Sequence, residues 1–389
     1  MGKSSHDNFI GGHQASLIRR GEQFFAAVEN IVDEAERYIH FHTYIIDEDN
    51  AGKRIVAALI RAAKRGVRVY LLLDAFGTKF LSDEFIDSIE ESGILFRFFA
   101  PVFVTKNLQL SLRLHSKVVL VDGEVAIIGG INIADRYLGK EGKLPWLDFA
   151  VKIRGPECGY VLDICRKNWN KAFLGKEKRS LEKIEKIESY PDNVRLKVNL
   201  NNWYRNKMEI SRNYRSMFRF ARKRITIFAS YFLPGSSERK LLARAAQRGI
   251  DIKIVLAADS DIPIFKKATH FLYDFILRNK IRIYEYQPAN LHAKVAVADG
   301  KWSTIGSYNM NRISDYASIE VNVGILDEPF TLSFEEILND IIANDCKEIT
   351  IKENRRRSIF SRFMGWAAYL SVRLVMRVLV QMTMKKRKR

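Results

Sequence analysis

Leu114-His115-Ser116-Lys117 continues through Asp122 to Gly129-Gly130-Ile131-Asn132, and Leu291-His292-Ala293-Lys294 continues through Asp299 to Gly306-Ser307-Tyr308-Asn309. His115 and His292, Lys117 and Lys294, Asp122 and Asp299, Gly129 and Gly306, and Asn132 and Asn309 all stand 177 residues apart. A spaced polar pattern repeated at one offset marks an internal duplication.

The spacing has a direct physical reading. In H-x-K on a strand, residues two apart point to the same face, so imidazole and ammonium project together while the residues between them face the core. Asp122-Gly123 then turns the chain, and Val125–Ile128 returns as a second strand ending in glycines that let backbone approach a ligand. Two such units about a pseudo-twofold axis would gather two His, two Lys and two Asn around one cavity, a cradle for a phosphodiester.

Working outward, the sequence predicts the same supersecondary unit on each side. Glu22–Ile39 is helical in period and Tyr38–Ile46 reads as a buried strand. Ala51–Arg65 places Ile55, Val56, Leu59, Ile60 and Ala63 on one helical stripe, N-capped by Asp49 or Asn50. Gly66 ends that helix before the strand Val67–Leu73. The second half answers with Ile225–Phe232, a helix over Ser237–Gln247, Gly249 and the strand Ile250–Ala257. Leu95–Pro101 answers Ile281–Pro288. Strand, helix, strand with short turns is a parallel crossover unit. The expected fold class is α/β: two pseudo-twofold-related lobes, each a mixed β-sheet flanked by helices, over 15–170 and 193–350. Residues 1–14 are expected to be a flexible N-terminus, 171–192 a charged linker and 351–389 a basic amphipathic tail.

These residues resemble the phospholipase D superfamily, whose HxKxxxxD signature occurs twice per active site. The resemblance implies catalytic roles for His115, Lys117, His292 and Lys294, and places the motif acids Asp122 and Asp299 in the catalytic set with a supporting, structural part in the site. Phosphate oxygens would be held by Asn132 and Asn309, with Gly130 and Ser307 beside them. One acid follows each motif, Asp148 in Trp146–Ile153 and Glu320 in Ser318–Ile325. A carboxylate accepting from one imidazole nitrogen would aim the other nitrogen at phosphorus.

The reaction implied is attack of one histidine on phosphorus to give a phosphohistidine, while the other protonates the departing alkoxide and then takes the proton of the incoming alcohol. In the superfamily the N-terminal histidine is usually the nucleophile, which assigns attack to His115. No metal and no cofactor is demanded. His40 and His42 could suggest a metal pair, but Ile227 and Ala229, read as their second-half equivalents, are not ligands.

Within the superfamily, Gly66–Asp74, Phe96–Pro101, Ser230–Gly235, Tyr284–Pro288 and Gly306–Asn309 are similar to the bacterial cardiolipin synthases, in particular the type B form without N-terminal transmembrane helices. That implies phospholipid substrates: a phosphatidyl group would move from phosphatidylglycerol or phosphatidylethanolamine to the head-group hydroxyl of phosphatidylglycerol. Further readings stay open: a phospholipase D-type hydrolase, a nuclease or phosphodiesterase acting on nucleic acid, and a membrane-surface scaffold with a relict site.

Charge bears on that choice. Of a net charge of +19, the segment Arg355–Arg389 supplies +11 from eleven Lys or Arg with no acid, leaving +8 on the rest. An anionic partner fits, nucleic acid or an acidic membrane surface. The three cysteines, Cys158, Cys165 and Cys346, form no even framework and read as those of a reducing compartment.

The tail is expected to lie on an anionic membrane through Arg355, Arg356, Arg357, Trp366, Arg373, Arg377, Lys385 and Lys386. Two arginines near the middle of a span would each oppose insertion by roughly 2.5–3.5 kcal/mol, which favours an interfacial helix over a transmembrane one. The expected location is peripheral, on the cytoplasmic face of the cell membrane.

Overall fold

The computed structural model describes residues 9–100, 112–139, 142–172, 180, 182–183 and 188–387, with side chains described up to 381. Residues 1–8, most of the charged linker, and the side chains of Lys385 and Lys386 lie outside the described residues.

The first lobe runs β1 (Ile10–Arg19), α1 (Glu22–Asp33), β2 (Tyr38–Thr43), α2 (Asn50–Lys64), β3 (Arg68–Asp74), α3 (Asp83–Glu91), β4 (Leu95–Phe99), β5 (Arg113–Leu114), β6 (Lys117–Val121), β7 (Val125–Gly129), α4 (Asp135–Leu138) and β8 (Phe149–Arg154). Helix α5 (Glu157–Lys171) leads to the second lobe. That lobe runs β9 (Val194–Asn202), β10 (Lys207–Met208), α6 (Glu209–Phe220), β11 (Arg224–Ala229), α7 (Ser236–Gln247), β12 (Asp251–Ala257), α8 (Pro263–Arg278), β13 (Arg282–Tyr286), β14 (Lys294–Ala298), β15 (Trp302–Gly306), α9 (Arg312–Tyr316), β16 (Ser318–Ile325), α10 (Glu328–Asp345) and β17 (Cys346–Ile349). Helices α11 (Ile351–Arg355) and α12 (Ile359–Arg387) follow.

The two sheets share one strand order. In the first lobe it is β4-β3-β2-β6-β7-β8-β1, parallel across β4-β3-β2 and antiparallel thereafter. In the second it is β13-β12-β11-β14-β15-β16-β9, with β17 added antiparallel on β13. The first parallel crossover of each lobe uses α2 or α7, the helices the sequence marks, and the second uses α3 or α8. Asp49 caps α2, accepting from the Gly52 amide at 3.0 Å.

Two details correct the sequence reading. Ile10–Gln14, expected in the flexible terminus, belong to β1 and pair with both β8 and β9. The stretch is polar enough to read as loose, yet its backbone groups complete a ladder, which outweighs composition. The ladders also place His40 opposite Leu120 and Thr226 opposite Val297, so His40 and His42 correspond to Thr226 and Phe228 rather than to Ile227 and Ala229. His40 is buried and stacks on Tyr70 at 4.5 Å, and His42 is buried beside it.

Among the described residues, three apolar cores follow from this layering. Outer cores lie under the helices of each lobe, and a central one joins both sheets through Leu114, Phe149, Val295, Val323 and Phe334. Burying each such side chain contributes roughly 1.5–3 kcal/mol, so the central core ties the lobes into one body. Its rim carries two parallel cross-lobe pairings: β5 with β16 (Arg113 opposite Ser318, Leu114 opposite Ile319), and a bridge from Leu147 to Leu291.

Helix α12 lies along α8 and α9. Ala368, Tyr369, Val372, Met376 and Val380 form its buried stripe. Gly365 permits the approach, since a Cβ there would stand 3.2 Å from the Lys267 carbonyl oxygen. Tyr369 packs at a tilt on Phe271, ring centres 4.7 Å apart, and accepts from Arg239 at 2.5 Å, and Arg362 pairs with Asp274 at 2.9 Å. The opposite stripe, with Phe363, Trp366, Leu370, Leu374 and Val378, is exposed. Ile359–Gln381 is long and apolar enough to cross a membrane, but here one of its two apolar faces is already occupied by the protein.

Candidate active site

The cross-lobe pairings decide the site. Each ends one residue before a motif histidine: the His115 amide donates to the Ile319 carbonyl at 3.1 Å and the His292 amide to the Leu147 carbonyl at 2.8 Å. Each therefore sets a histidine beside the acid of the other lobe. His115 Nδ1 meets Glu320 Oε2 at 2.8 Å, and His292 Nδ1 meets Asp148 Oδ2 at 2.6 Å. With Nδ1 engaged, Nε2 is the atom left to face a ligand. Both rings line one cavity of about 300 Å³, together with Asn132 and Asn309.

The two acids are held differently. Glu320 is buried and accepts from Ser307 Oγ at 2.6 Å and Ser314 Oγ at 2.7 Å as well as from His115. Asp148 is equally buried but has the Phe149 amide at 2.8 Å and Lys294 at 4.0 Å. Burial pushes its carboxyl up to about 7, partly offset by Lys294.

Lys117 and Lys294 donate back to the carbonyls of their own histidines, Lys117 at 2.7 Å. Burial pushes them down to about 7 and about 8, with Glu320 and Asp148 opposing the shift. It also lowers His115, against the pull of Glu320, and lowers His292 well below the usual histidine range, helped by both lysines. An anion entering the cavity would reverse these shifts, because all four groups lose their positive form to desolvation.

The structure corrects two sequence assignments. Asp122 and Asp299 do not reach the cavity. Asp122 accepts from the amides of Glu36, Arg37 and Tyr38 at 2.8–2.9 Å, and Asp299 from those of Arg222, Lys223 and Arg224 at 2.8–3.0 Å. Each stands five residues beyond its lysine at the far end of a strand, roughly 16 Å away at 3.3 Å per residue. They pin the start of β2 and β11. Gly130 and Ser307 are likewise not free for phosphate. Their amides donate to Phe149 and Val321, Gly130 faces the Asp148 carboxylate where a Cβ would stand 2.5 Å from it, and the Ser307 hydroxyl is taken by Glu320.

Asn132 donates to Tyr137 Oη at 2.9 Å. Asn309 Oδ1 has no partner among the described residues. Several cavity residues escape the sequence reading: Tyr44, Arg113, Arg136, Tyr137, Trp146, Tyr231, Asp261 and Ser314. Tyr44 packs edge-on to His115 at 5.0 Å; Tyr137 and Trp146 pack on His292 at 5.2 and 6.1 Å. Comparing the halves discards such residues, because Tyr137 and Ser314, or Arg136 and Ile313, share the 177 offset yet differ in kind. The one available signal is Arg113, two residues before His115 and hence on its strand face.

A family model described as "Cardiolipin synthase, PLD-like domain" matches residues 28–144 and 214–342. Cardiolipin synthase B of Escherichia coli (strain K12) is 31% identical over 350 residues, which cover 87% of this chain and 82% of that protein. Cardiolipin synthase of Clostridium perfringens (strain SM101 / Type A) is 31% identical over 350 residues, covering 85% and 70%. Among solved structures, phosphatidylserine synthase of Haemophilus influenzae Rd KW20 superposes with a TM-score of 0.74 at 13% identity over 97% of each chain, a likeness of fold.

Proposed function

Because the chain belongs to the phospholipase D-like cardiolipin synthase family, we propose that it joins two phospholipids through a phosphohistidine on His115. It is a phospholipase D-type phosphatidyltransferase. The donor is phosphatidylglycerol or phosphatidylethanolamine, and the acceptor is the glycerol hydroxyl of phosphatidylglycerol.

In the first step His115 Nε2 attacks phosphorus. The N–P bond forms, the bond to the departing head-group oxygen breaks, and protonated His292 supplies that oxygen's proton. In the second, the acceptor oxygen bonds to phosphorus, the N–P bond breaks, and the acceptor's proton passes to His292. Lys117, Lys294, Asn132 and Asn309 stabilise the non-bridging oxygens. Glu320 and Asp148 hold each ring in the tautomer that presents Nε2. A bound phosphodiester opposes the burial that lowers His292, so the charged acid is favoured when a leaving group is present to receive its proton.

What carries this reading is the pair of histidines from different lobes lining one cavity, each with Nδ1 held by an acid of the opposite lobe. Anionic vesicles containing labelled phosphatidylglycerol, analysed by thin-layer chromatography, test it. Cardiolipin and glycerol are expected from the native chain and neither from His115→Ala or His292→Ala. Near-native turnover by either variant, or cleavage of single-stranded DNA without lipid products, would overturn it.

The enzyme works as a peripheral protein at the cytoplasmic face of an anionic membrane. Supporting this are the outward apolar stripe of α12, the exposed Arg373 and Arg377 on the same helix, and three free cysteines. Helix α12 rests on α8 and α9, whose Phe265 and Ile313 line the catalytic cavity, so the stripe lies beside the place where lipid must enter.

A further inference from the structure

The two histidines, two lysines and two asparagines repeat between the lobes, whereas donor and acceptor are different molecules. What tells them apart therefore sits where the pseudo-symmetry breaks. Two polar breaks flank His292. Arg136 stands where the second lobe has Ile313. Asp261, four residues past the end of β12, stands where the first lobe has Thr78, four past the end of β3.

Both are built into the cavity wall. The Arg136 guanidinium lies 5.4 Å from the ring centres of Tyr137 and Trp146, the two rings that pack on His292, and spends one nitrogen on Asp47 at 2.5 Å. Its planar fork keeps further N–H donors for an anion. Tyr231 Oη reaches both oxygens of Asp261, at 2.7 and 2.8 Å, so one hydroxyl steadies the carboxylate without using up its lone pairs. Tyr231 and Asp261 line the same cavity as His292.

Resting on the transfer reaction proposed above, we infer that Arg136 and the Tyr231–Asp261 pair form the acceptor subsite, which selects a glycerol phosphodiester. The acceptor keeps its own anionic phosphodiester throughout, and Arg136 is the cation that takes it. Its glycerol carries two hydroxyls: one attacks, giving its proton to His292, and the other donates to Asp261. The new O–P bond forms as the N–P bond to His115 breaks, and neither Arg136 nor Asp261 gains or loses a proton. Water lacks both the anion and the second hydroxyl, and an ethanolamine head group lacks the diol. The subsite thus favours transfer over hydrolysis.

The test sets two acceptors against each other. Vesicles of labelled phosphatidylglycerol with added 1-butanol yield cardiolipin and phosphatidylbutanol from one phosphoenzyme, so their ratio reports acceptor choice alone. In Asp261→Asn and Arg136→Gln this ratio is expected to fall about tenfold or more, with a raised KM for phosphatidylglycerol as acceptor, and in Tyr231→Phe by about threefold. A ratio within about twofold of the native one, or equal loss of both products in all three variants, overturns the subsite. If the native chain itself makes phosphatidylbutanol but no cardiolipin, the synthase reading fails, and the subsite with it.

Discussion

Glu320→Gln is the most searching perturbation of the catalytic geometry. It leaves the volume of the side chain almost unchanged and removes one buried charge that serves three donors: His115 Nδ1 at 2.8 Å, Ser307 Oγ at 2.6 Å and Ser314 Oγ at 2.7 Å. An amide has one oxygen for these three. Its NH2 group must face either a serine, which can rotate to accept, or Nδ1, which must then surrender its proton and place it on Nε2, the wrong tautomer for attack. Losing a charge-assisted bond to the ring costs about 1.5–3 kcal/mol in the transition state, or roughly 10–150-fold in kcat.

A second effect adds a signature in pH. Glu320 raises the pKa of both lysines, Lys117 against a burial effect that brings it to about 7. Without the acid Lys117 falls further and is neutral over more of the neutral range, so phosphate binding weakens above pH 7. Initial rates of cardiolipin formation from labelled phosphatidylglycerol between pH 5.5 and 8.5 should therefore show a loss of about tenfold or more. The loss should deepen toward alkaline pH and leave the optimum at lower pH than in the native enzyme. A loss under about threefold with an unmoved profile would refute the argument that Glu320 sets the tautomer of His115 and the charge of the lysines.

Burial pushes His42 from 6.5 down to about 3, and His40 well below the same ordinary value. A base with a depressed folded pKa contributes no penalty above its unfolded value. Stability is then lost as pH falls below about 6.5, by up to about 1.4 kcal/mol per pH unit for each ring. Urea midpoints should drop between pH 7.5 and 5, and coincident midpoints would contradict this. Asp299→Ala strips three amides of their acceptor; a loss of about 1–3 kcal/mol is expected with kcat of the folded enzyme within about threefold of native, whereas a collapse of kcat at full stability would return Asp299 to the catalytic set. Replacing Phe363, Trp366 and Leu370 by Asn leaves the buried stripe of α12 intact. It should lower co-sedimentation with anionic vesicles by about tenfold or more, and unchanged binding would remove that stripe as the contact surface.

Much of this architecture was legible because duplication turns one sequence into two mutually checking readings. The 177 offset carries both histidines, both lysines and both asparagines, and the helical stripes of α2 and α7 carry the first crossover of each lobe. What periodicity could not supply was partnership across the lobes. The proximity of Glu320 to the second motif in sequence suggests service to His292, yet it serves His115, because β5 pairs with β16 and the order of the chain does not encode which rim meets which. Asp122 and Asp299 were readable in principle, since five residues of strand carry an acid roughly 16 Å from its lysine. Helix α12 was half readable: its bulk and charge are plain, but whether Tyr369 or Leu370 turns inward depends on the surface that α8 offers.

The crossing also constrains how such an enzyme can move. In each half the carbonyl that accepts from the histidine amide and the carboxylate that orients the ring come from adjacent positions of the opposite lobe: Ile319 with Glu320, Leu147 with Asp148. Aligning the lobes and aligning the catalytic pairs is therefore a single event, sealed by the central core. A hinge between lobes would have to break two buried charge-assisted bonds and expose that core at every turnover, a cost far above what a conformational gate can carry. Access must instead come past residues that line the cavity away from the β5–β16 pairing, among them Tyr231 and Phe265. Helix α12 packs on α8 and α9, which supply Phe265 and Ile313 to the cavity wall, so the elements that carry its outward apolar stripe also help to build the site.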